Sequence, residues 1–345
     1  MSEPAVKVAV LGGGNGISVV LEGLARSARS GAAVEVTAVV ATADDGGSSG
    51  RIRSQRGGLP PGDLRRCLVA LAASADEPLA RLFAHRYGGR GELGGHAVGN
   101  LILAALAEQH GCYVEALRVA SEMLRVQGRV LPVSLESVRL VGVTRDGRAL
   151  SGESTIGNAP AAMDHVRLSP ADAEPAPGVL AAIEGAHLVV VGPGSLFTSL
   201  LPVLLVRGVA DAIRACPGQR VLVANLMTQP GETLGMSLDG HLDAIDRHVG
   251  PGLVRHVLIN DEPLSPDRLR PYARKASAPV DGAIGARRAE TLLQAPIATA
   301  TGKIRHEPDR LSRALLAAVD AARGSASRQA STSAVIADIG REGTR

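Results

Sequence analysis

The strongest constraint on this chain lies in residues 6–40. Val6 to Leu11 is a short apolar, β-branched run, and Gly12-Gly13-Gly14-Asn15-Gly16 interrupts it. Ile17 to Ala28 then places apolar residues at helical spacing (Ile17, Val20, Leu21, Leu24, Ala28), and Val34 to Val40 is a second apolar run. A strand, a glycine-rich turn, an amphipathic helix and another strand make a βαβ unit. Such a unit joins parallel strands by a right-handed crossover, so the fold class expected is α/β, with a mostly parallel, Rossmann-like sheet flanked by helices. The alternation resumes later: His187 to Val191, Arg220 to Ala224 and Val254 to Asn260 read as strands, Leu238 to Val249 and Asp309 to Ala322 as helices. Between these halves, Asp146-Gly147 separates two apolar runs, Val138–Thr144 and Ala149–Glu153. That dipeptide is a hairpin signal, which predicts a small β lobe over about residues 130–168. The expected organisation is one α/β domain over 1–322 and a Ser-, Ala- and Gly-rich tail over 323–345, too polar to order itself.

Composition narrows the function classes. The chain has 345 residues, 45% of them hydrophobic, but only 1% aromatic and no Trp. Binding of single-stranded nucleic acid needs aromatic stacking platforms, which are scarce here. Arg and acidic residues are interleaved, with a formal net charge of +3, so no basic arm for DNA stands out. No long uncharged apolar run suggests a membrane span. The N-terminus enters a strand pattern directly, without a secretory signal. Cys67, Cys112 and Cys216 are far apart and form neither a CxxC pair nor a zinc spacing. Reduced, mostly buried thiols and a cytoplasmic location are expected.

Chemistry-bearing residues gather where predicted strands end. Gly12, Gly13, Gly14, Asn15 and Gly16 follow the first strand; glycines let backbone N–H groups approach a phosphate at a helix N-terminus. The turn is neither a dinucleotide fingerprint, since position 17 is Ile17, nor a Walker A loop, since no Lys-Ser or Lys-Thr follows. The alternative is a tight turn that packs closely on its surroundings. After the second strand, residues 42–62 read as a long polar loop carrying Asp44, Asp45, Ser48, Ser49 and Arg51. Adjacent carboxylates and hydroxyls there suit magnesium or the hydroxyls of a sugar, and Arg51 suits phosphate. Asp63 reads as the N-cap of the next helix, with Arg65 one turn inside it, facing either ligand or solvent. His96 and Asn100 lie close together at the start of a further helix, His96 as an anion donor, an acid or a structural histidine. No Ser or Cys stands at a recognisable nucleophile spacing from His96. Gly192, Gly194, Ser195 and Thr198 follow another buried strand, and Asn225, Met227, Thr228, Gln229, Glu232 and Thr233 follow the one after, where Glu232 alternatively caps a helix. Arg305 precedes the last helix and is either a phosphate clamp or a surface residue. In an open parallel sheet these turns all emerge on one edge, and ligands bind there at the switch point of strand order.

The run of motifs resembles a known family. Gly12-Gly13-Gly14-Asn15-Gly16, Ala43-Asp44-Asp45-Gly46-Gly47-Ser48-Ser49-Gly50-Arg51, Pro60-Pro61-Gly62-Asp63, and Gly95-His96 with Gly99-Asn100 are similar to the YvcK family, relatives of the CofD phospholactate transferases. The match continues through Gly128-Arg129-Val130-Leu131-Pro132, Gly152-Glu153-Ser154, Gly192 to Ser199 and Asn225 to Thr233, covering about residues 6–311 in order. The resemblance implies a CofD-like fold and a cytoplasmic bacterial gluconeogenesis factor that supports cell shape and growth on gluconeogenic carbon. It implies binding of UDP-sugars such as UDP-N-acetylglucosamine, with regulatory or cell-wall proteins as partners. The CofD relatives transfer a phosphate-linked group to a deazaflavin with an aspartate-rich turn and magnesium. Here Asp44-Asp45 occupy that turn, but Gly46 to Arg51 take the YvcK form, and aromatics to stack a deazaflavin are few.

Three readings result. The first is a UDP-sugar-binding regulator that is not an enzyme. The second is a magnesium-dependent transferase with Asp44 and Asp45 as metal ligands, the reading that makes magnesium a possible cofactor. The third, a nicotinamide-dependent oxidoreductase, fits least because of Ile17. A homodimer is the expected assembly, as for most soluble oligomers.

Overall fold

The computed structural model describes residues 4–322 except 75–76, 160 and 286–289. The tail expected to be disordered, 323–345, lies outside the described residues. A seven-stranded sheet holds β1 (Val6–Gly12), β2 (Val34–Val40), β3 (Arg129–Pro132), β7 (Leu188–Val191), β8 (Gln219–Val223), β9 (His256–Asn260) and β10 (Thr291–Ala295). Its order is β10-β9-β8-β7-β1-β2-β3, and every pairing is parallel. A three-stranded antiparallel sheet is made by β4 (Arg139–Thr144), β5 (Ala149–Ser151) and β6 (Met163–Ser169), with β4 in the centre.

The strand sequences explain the layers. Successive side chains point to opposite faces. Ala9, Leu11 and Val39 therefore join one core, while Val8, Val10, Val36, Ala38 and Val40 join the other. A parallel strand buried on both faces needs such an unbroken apolar run. Helix α1 (Gly14–Arg29) lays Ile17, Val20, Leu21, Leu24 and Ala25 on the second face. Segments Leu196–Leu204 and Val209–Ala215 cover the first face, and this bent pair has the length and composition of a broken membrane span. Its apolar residues are packed in the core. Among the described residues no single helix is long and apolar enough to cross a membrane.

Several sequence expectations are corrected. Helix α1 begins at Gly14, so Gly14-Asn15-Gly16 are its first turn and not a loop ahead of it. The long polar loop contains helix α2 (Gly47–Arg56), whose Gly- and Ser-rich start carries no apolar stripe to betray it. Helix α3 (Pro61–Ala70) places Asp63 three residues in; its N-cap is Pro60, whose side chain makes no capping bond. After α4 (Pro78–Ala84), helix α5 (Val98–His110) starts beyond His96. The predicted hairpin is present, but the lobe's strands run from Arg139, because Arg129–Pro132 is the edge strand of the main sheet. Cys67 and Cys216 are buried as expected, whereas Cys112, just ahead of helix α6 (Tyr113–Met123), is exposed.

Candidate functional site

Strand order reverses between β1 and β7. From β1 the chain moves outward through β2 and β3; from β7 it moves the other way through β8, β9 and β10. The crevice beyond the carboxyl ends of β1 and β7 is thus the switch point, where open α/β sheets bind ligands. The two turns that flank it touch. A Cβ added to Gly16 would lie 2.0 Å from the Pro193 carbonyl oxygen, so only glycine lets the β7 turn press on the first turn of α1. Gly14, at φ +64°, donates its N–H to Asp63 Oδ2 at 2.6 Å. Asp63 also pairs with Arg66, and burial pushes its carboxyl upward against that pull.

The next strand end straps the β7 turn in place. The Asn225 side chain accepts from Gly194 N–H at 3.1 Å and donates to the Gly194 carbonyl at 2.8 Å. Gln229 Nε2 donates to Ser195 Oγ at 3.1 Å, while its Oε1 is buried without a partner among the described residues. Glu232 is held beneath: Oε2 accepts from Phe197 N–H at 3.0 Å and Oε1 from the Thr198 hydroxyl at 2.8 Å. It therefore caps the segment after Ser195, where a carboxylate favours the positive end of the backbone dipoles. Thr233 Oγ1 accepts from Gln229 N–H and is fully buried.

On the other side of β1, the two adjacent aspartates diverge. Asp44 Oδ1 accepts from Gly46 N–H at 2.8 Å. Asp45 Oδ1 accepts from Ser154 N–H at 2.9 Å and ties the β4–β5–β6 lobe to the sheet edge. Ser49 Oγ accepts from Gly62 N–H at 3.1 Å. Ser48 sits in a buried chain: Arg65 Nε donates to Asn100 Oδ1 at 3.0 Å, and Asn100 Nδ2 donates to Ser48 Oγ at 3.0 Å. The Ser48 hydroxyl is in turn hydrogen-bonded to His96 Nδ1, 3.1 Å away. Burial, with Arg51 and Arg86 nearby, lowers the His96 pKa and favours the neutral ring.

These turns enclose a cleft of two connected chambers that share Gly14, Asn15, Ser195 and Ser199. The outer chamber, about 680 Å³, is bordered by Gly13 to Gly16, Gly194, the Asn225–Gln229 loop, Lys275 and Arg305. The inner chamber, about 370 Å³, is bordered by Asp44, Ser48, Ser49, Asp63, Asn100, Thr198, Arg66 and Glu153. Glu153 begins helix α7 (Glu153–Gly157) on the lobe. Burial, reinforced by Asp44, Asp63, Glu232 and Asp45, raises its carboxyl to about 8. It is thus largely protonated at neutral pH and donates as well as accepts.

Most of the residues marked in the sequence border this cleft: Gly13, Gly14, Asn15, Gly16, Asp44, Ser48, Ser49, Asp63, Asn100, Gly194, Ser195, Thr198, Asn225, Met227, Thr228, Gln229 and Arg305. Gly12, Asp45, Arg51, His96, Gly192, Glu232 and Thr233 border neither chamber and stand behind the lining. Arg51 donates to the Gly94 carbonyl at 2.7 Å. Sequence reasoning missed Glu153, Lys275, Arg66, Ser199 and Tyr272 as lining residues. Three of these left a trace: Glu153 sits in the Gly152-Glu153-Ser154 string, Ser199 closes the Gly192 to Ser199 string, and Lys275 is one of only three lysines in an arginine-rich chain.

A model of the CofD family, 2-phospho-L-lactate transferase CofD, matches residues 8–299. The chain belongs to the CofD family. Within it, the similarity runs to proteins named gluconeogenesis factor, which makes it a YvcK-type member. The gluconeogenesis factor of Bacillus subtilis (strain 168) is 42% identical over 276 residues, 80% of this chain and 85% of that protein. The putative gluconeogenesis factor of Thermotoga maritima is 42% identical over 273 residues, 79% of this chain and 84% of that one. The crystal structure of a UPF0052-family protein from Bacillus halodurans superposes with a TM-score of 0.85 at 39% identity, covering 91% of this chain and 100% of that chain.

Whether this CofD-family chain suits a magnesium ion is a matter of its donors. Magnesium keeps several waters and takes one or two carboxylates beside the phosphates of a bound ligand. Asp45 points at the lobe backbone, and among the described residues no group of three or more His, Cys, Asp or Glu is arranged to hold a metal. The two aspartates do not converge as a pair of ligands for one ion: Asp44 alone faces the inner chamber.

Proposed function

We propose that this YvcK-type protein binds a nucleotide-activated sugar of the UDP-N-acetylglucosamine class and acts as a regulator, not as an enzyme. The observation that carries the reading is the pair of chambers meeting at the switch point with unlike linings. The diphosphate rests against the first turn of α1 and the Gly194-Ser195 turn, where backbone N–H groups and the helix dipole favour anions. Lys275 and Arg305 supply the countercharge in the outer chamber. The Asn225–Gln229 loop reads the nucleoside, with the unpaired Gln229 Oε1 as a ready acceptor. The sugar enters the inner chamber, where Asp44 and Glu153 take its hydroxyls. The name gluconeogenesis factor, carried by relatives, supports a role in growth on gluconeogenic carbon; the proposal adds to it a cytoplasmic homodimer that works with regulatory or cell-wall proteins in cell shape.

Isothermal calorimetry with UDP-N-acetylglucosamine, with UDP as the comparison ligand, tests the reading. Saturable binding of both, tighter for the sugar nucleotide, is expected. Absence of heat together with absence of a thermal shift sinks it. The transferase alternative asks for magnesium-dependent binding, which the same titration with and without the ion reads directly.

A further inference from the structure

A third cavity opens between α1 and α3, on the far side of Asn15 and Ser18 from the crevice. It measures about 550 Å³ and carries four arginines, Arg26, Arg29, Arg65 and Arg66, against a single carboxylate, Glu22. Two of the four are already engaged: Arg26 with Glu22 and Asp309, and Arg66 with Asp63. Arg29 reaches only the Ala72 carbonyl, at 3.4 Å.

Arg65 is the unusual member. It is 6% exposed, and its one side-chain bond runs from Nε to the neutral Asn100 amide. Its two terminal nitrogens have no partner among the described residues. A buried charge is ordinarily paired, because leaving it alone costs several kcal/mol. Here the neighbours make matters worse. Burial and the like charges of Arg66 and Arg86 lower the Arg65 pKa to about 10, against a weaker opposite pull from Asp63, whose carboxylate is already bonded to Arg66 and Gly14. Packing holds it there: a Cβ on Gly99 would lie 2.9 Å from Arg65 Cδ, so α5 is built to admit this side chain. A largely buried guanidinium that faces a cavity and has no carboxylate bonded to its terminal nitrogens among the described residues is matched by an oxyanion, since its planar donors fit two oxygens at once.

We infer that the α1–α3 cavity is an anion site for a phosphate-bearing small molecule, held by Arg65 and Arg29 and separate from the nucleotide-sugar cleft. The apolar edge of Val69 and Ala70 leaves room for a short carbon skeleton beside the phosphate. The site touches the cleft through Asn15, Ser18 and Glu22, which border both. An anion bound here therefore lies against the same α1 first turns that line the crevice.

Inorganic phosphate is the probe, titrated by calorimetry into the full-length protein in phosphate-free buffer, alone and with saturating UDP-N-acetylglucosamine. Saturable phosphate binding that survives the sugar nucleotide is expected. It should weaken about tenfold in Arg65→Met, as for loss of a charge-assisted pair. Arg29→Gln, an exposed position that leaves the core untouched, should weaken it in the same direction and keeps the test valid if Arg65→Met does not fold. Complete displacement of phosphate by the sugar nucleotide overturns the inference, since the anion then sits in the cleft. Affinity unchanged in both variants, or no saturable binding, overturns it equally: an adventitious ion only. If UDP-N-acetylglucosamine itself fails to bind, the phosphate titration of the variants still decides this site on its own.

Discussion

The inner and outer chambers share a floor and differ in nearly everything else. The inner one is lined by Asp44, Asp63 and Glu153, with Arg66 already paired to Asp63 and Arg86 bonded to the Gly95 carbonyl. The outer one carries Lys275 and Arg305, with Glu22 as its carboxylate and that group committed to Arg26. Backbone donors at the first turn of α1 serve both. The contrast shows how a single set of glycine turns is made directional: side chains brought from distant segments, Glu153 from the lobe and Lys275 from beyond β9, give each end its sign. A diphosphate finds Lys275 and Arg305, unpaired among the described residues, at the outer end, whereas sugar hydroxyls gain from inner carboxyl groups that accept and donate.

The most drastic way to break the comparison is to remove the shared floor. Gly16→Ala places a methyl where the Pro193 carbonyl already lies, and backbone on both sides must move. Overpacking of this kind costs about 3 kcal/mol, and urea denaturation should show it, with UDP-N-acetylglucosamine binding lost at both ends. Gly88→Ala is the control. Nothing lies within 4 Å of its added Cβ, so stability should stay within about 0.5 kcal/mol of the parent. Equal stability of the two variants would mean that the turns do not meet as described.

The inner end can be sharpened through Glu153. Its carboxyl titrates at about 8 in the fold, against an ordinary value of 4.5. Between those values the folded protein keeps a proton that the unfolded chain has released. Stability therefore falls as pH rises through that window. Glu153→Gln cannot ionise and removes this part of the slope. The variant should match the parent near pH 4.5 and exceed it at pH 8 by on the order of 2 kcal/mol, a figure below the full shift because the group is partly exposed. Denaturation midpoints measured across pH 4.5 to 8 check it. Parallel pH profiles for the two proteins would remove Glu153 from the acid cluster.

The outer end is tested by Lys275→Met, which keeps the length of the stem and deletes the charge. Calorimetry should show UDP and UDP-N-acetylglucosamine weakened alike, by about tenfold each. A loss confined to the sugar nucleotide would exchange the roles of the two chambers.

How much of this was legible beforehand follows from where each signal resides. The strand cores, helix Leu238–Val249 and the strand-end turns could be read because burial on two faces and helical periodicity are written into local sequence. Helix α2 could not, because Gly47-Ser48-Ser49-Gly50 carries neither an apolar stripe nor strong helix formers; its first turn is set by Ser48 and Ser49 bonding to α5 and α3. Strands β3 and β10 are short edge strands with broken burial patterns, and nothing local distinguishes them from loop. The glycines at residues 13–16 were legible as a special turn, but not that Gly16 answers to Pro193, a partner far along the chain. Glu153 and Lys275 were obscure for the same reason: only the fold brings them to the cleft. Asp63 shows the converse. Its position before a helix suggested a cap, yet its carboxylate serves Gly14, the start of another helix altogether.

The smallest effect separates the two aspartates that the sequence presents as a pair. A transferase built on a metal would use both, and neutralising either would weaken magnesium-dependent binding strongly. In the structure they face different ways. Asp44 borders the inner chamber, while Asp45 is spent on the Ser154 N–H, and Gly152 leaves room for its second oxygen. Asp45→Asn keeps a carbonyl oxygen at the same place, so the link to the lobe persists with a weaker, neutral hydrogen bond, a loss of about 1 kcal/mol in stability. UDP-N-acetylglucosamine affinity, with magnesium or without it, should remain within about twofold of the parent, since no ligand contact changes. Asp44→Asn, by contrast, alters the inner chamber itself and should reduce the preference for UDP-N-acetylglucosamine over UDP. If Asp45→Asn instead abolishes a magnesium-dependent component of binding, the two carboxylates converge on a shared ion in the ligand complex, and the regulator reading gives way to the transferase one.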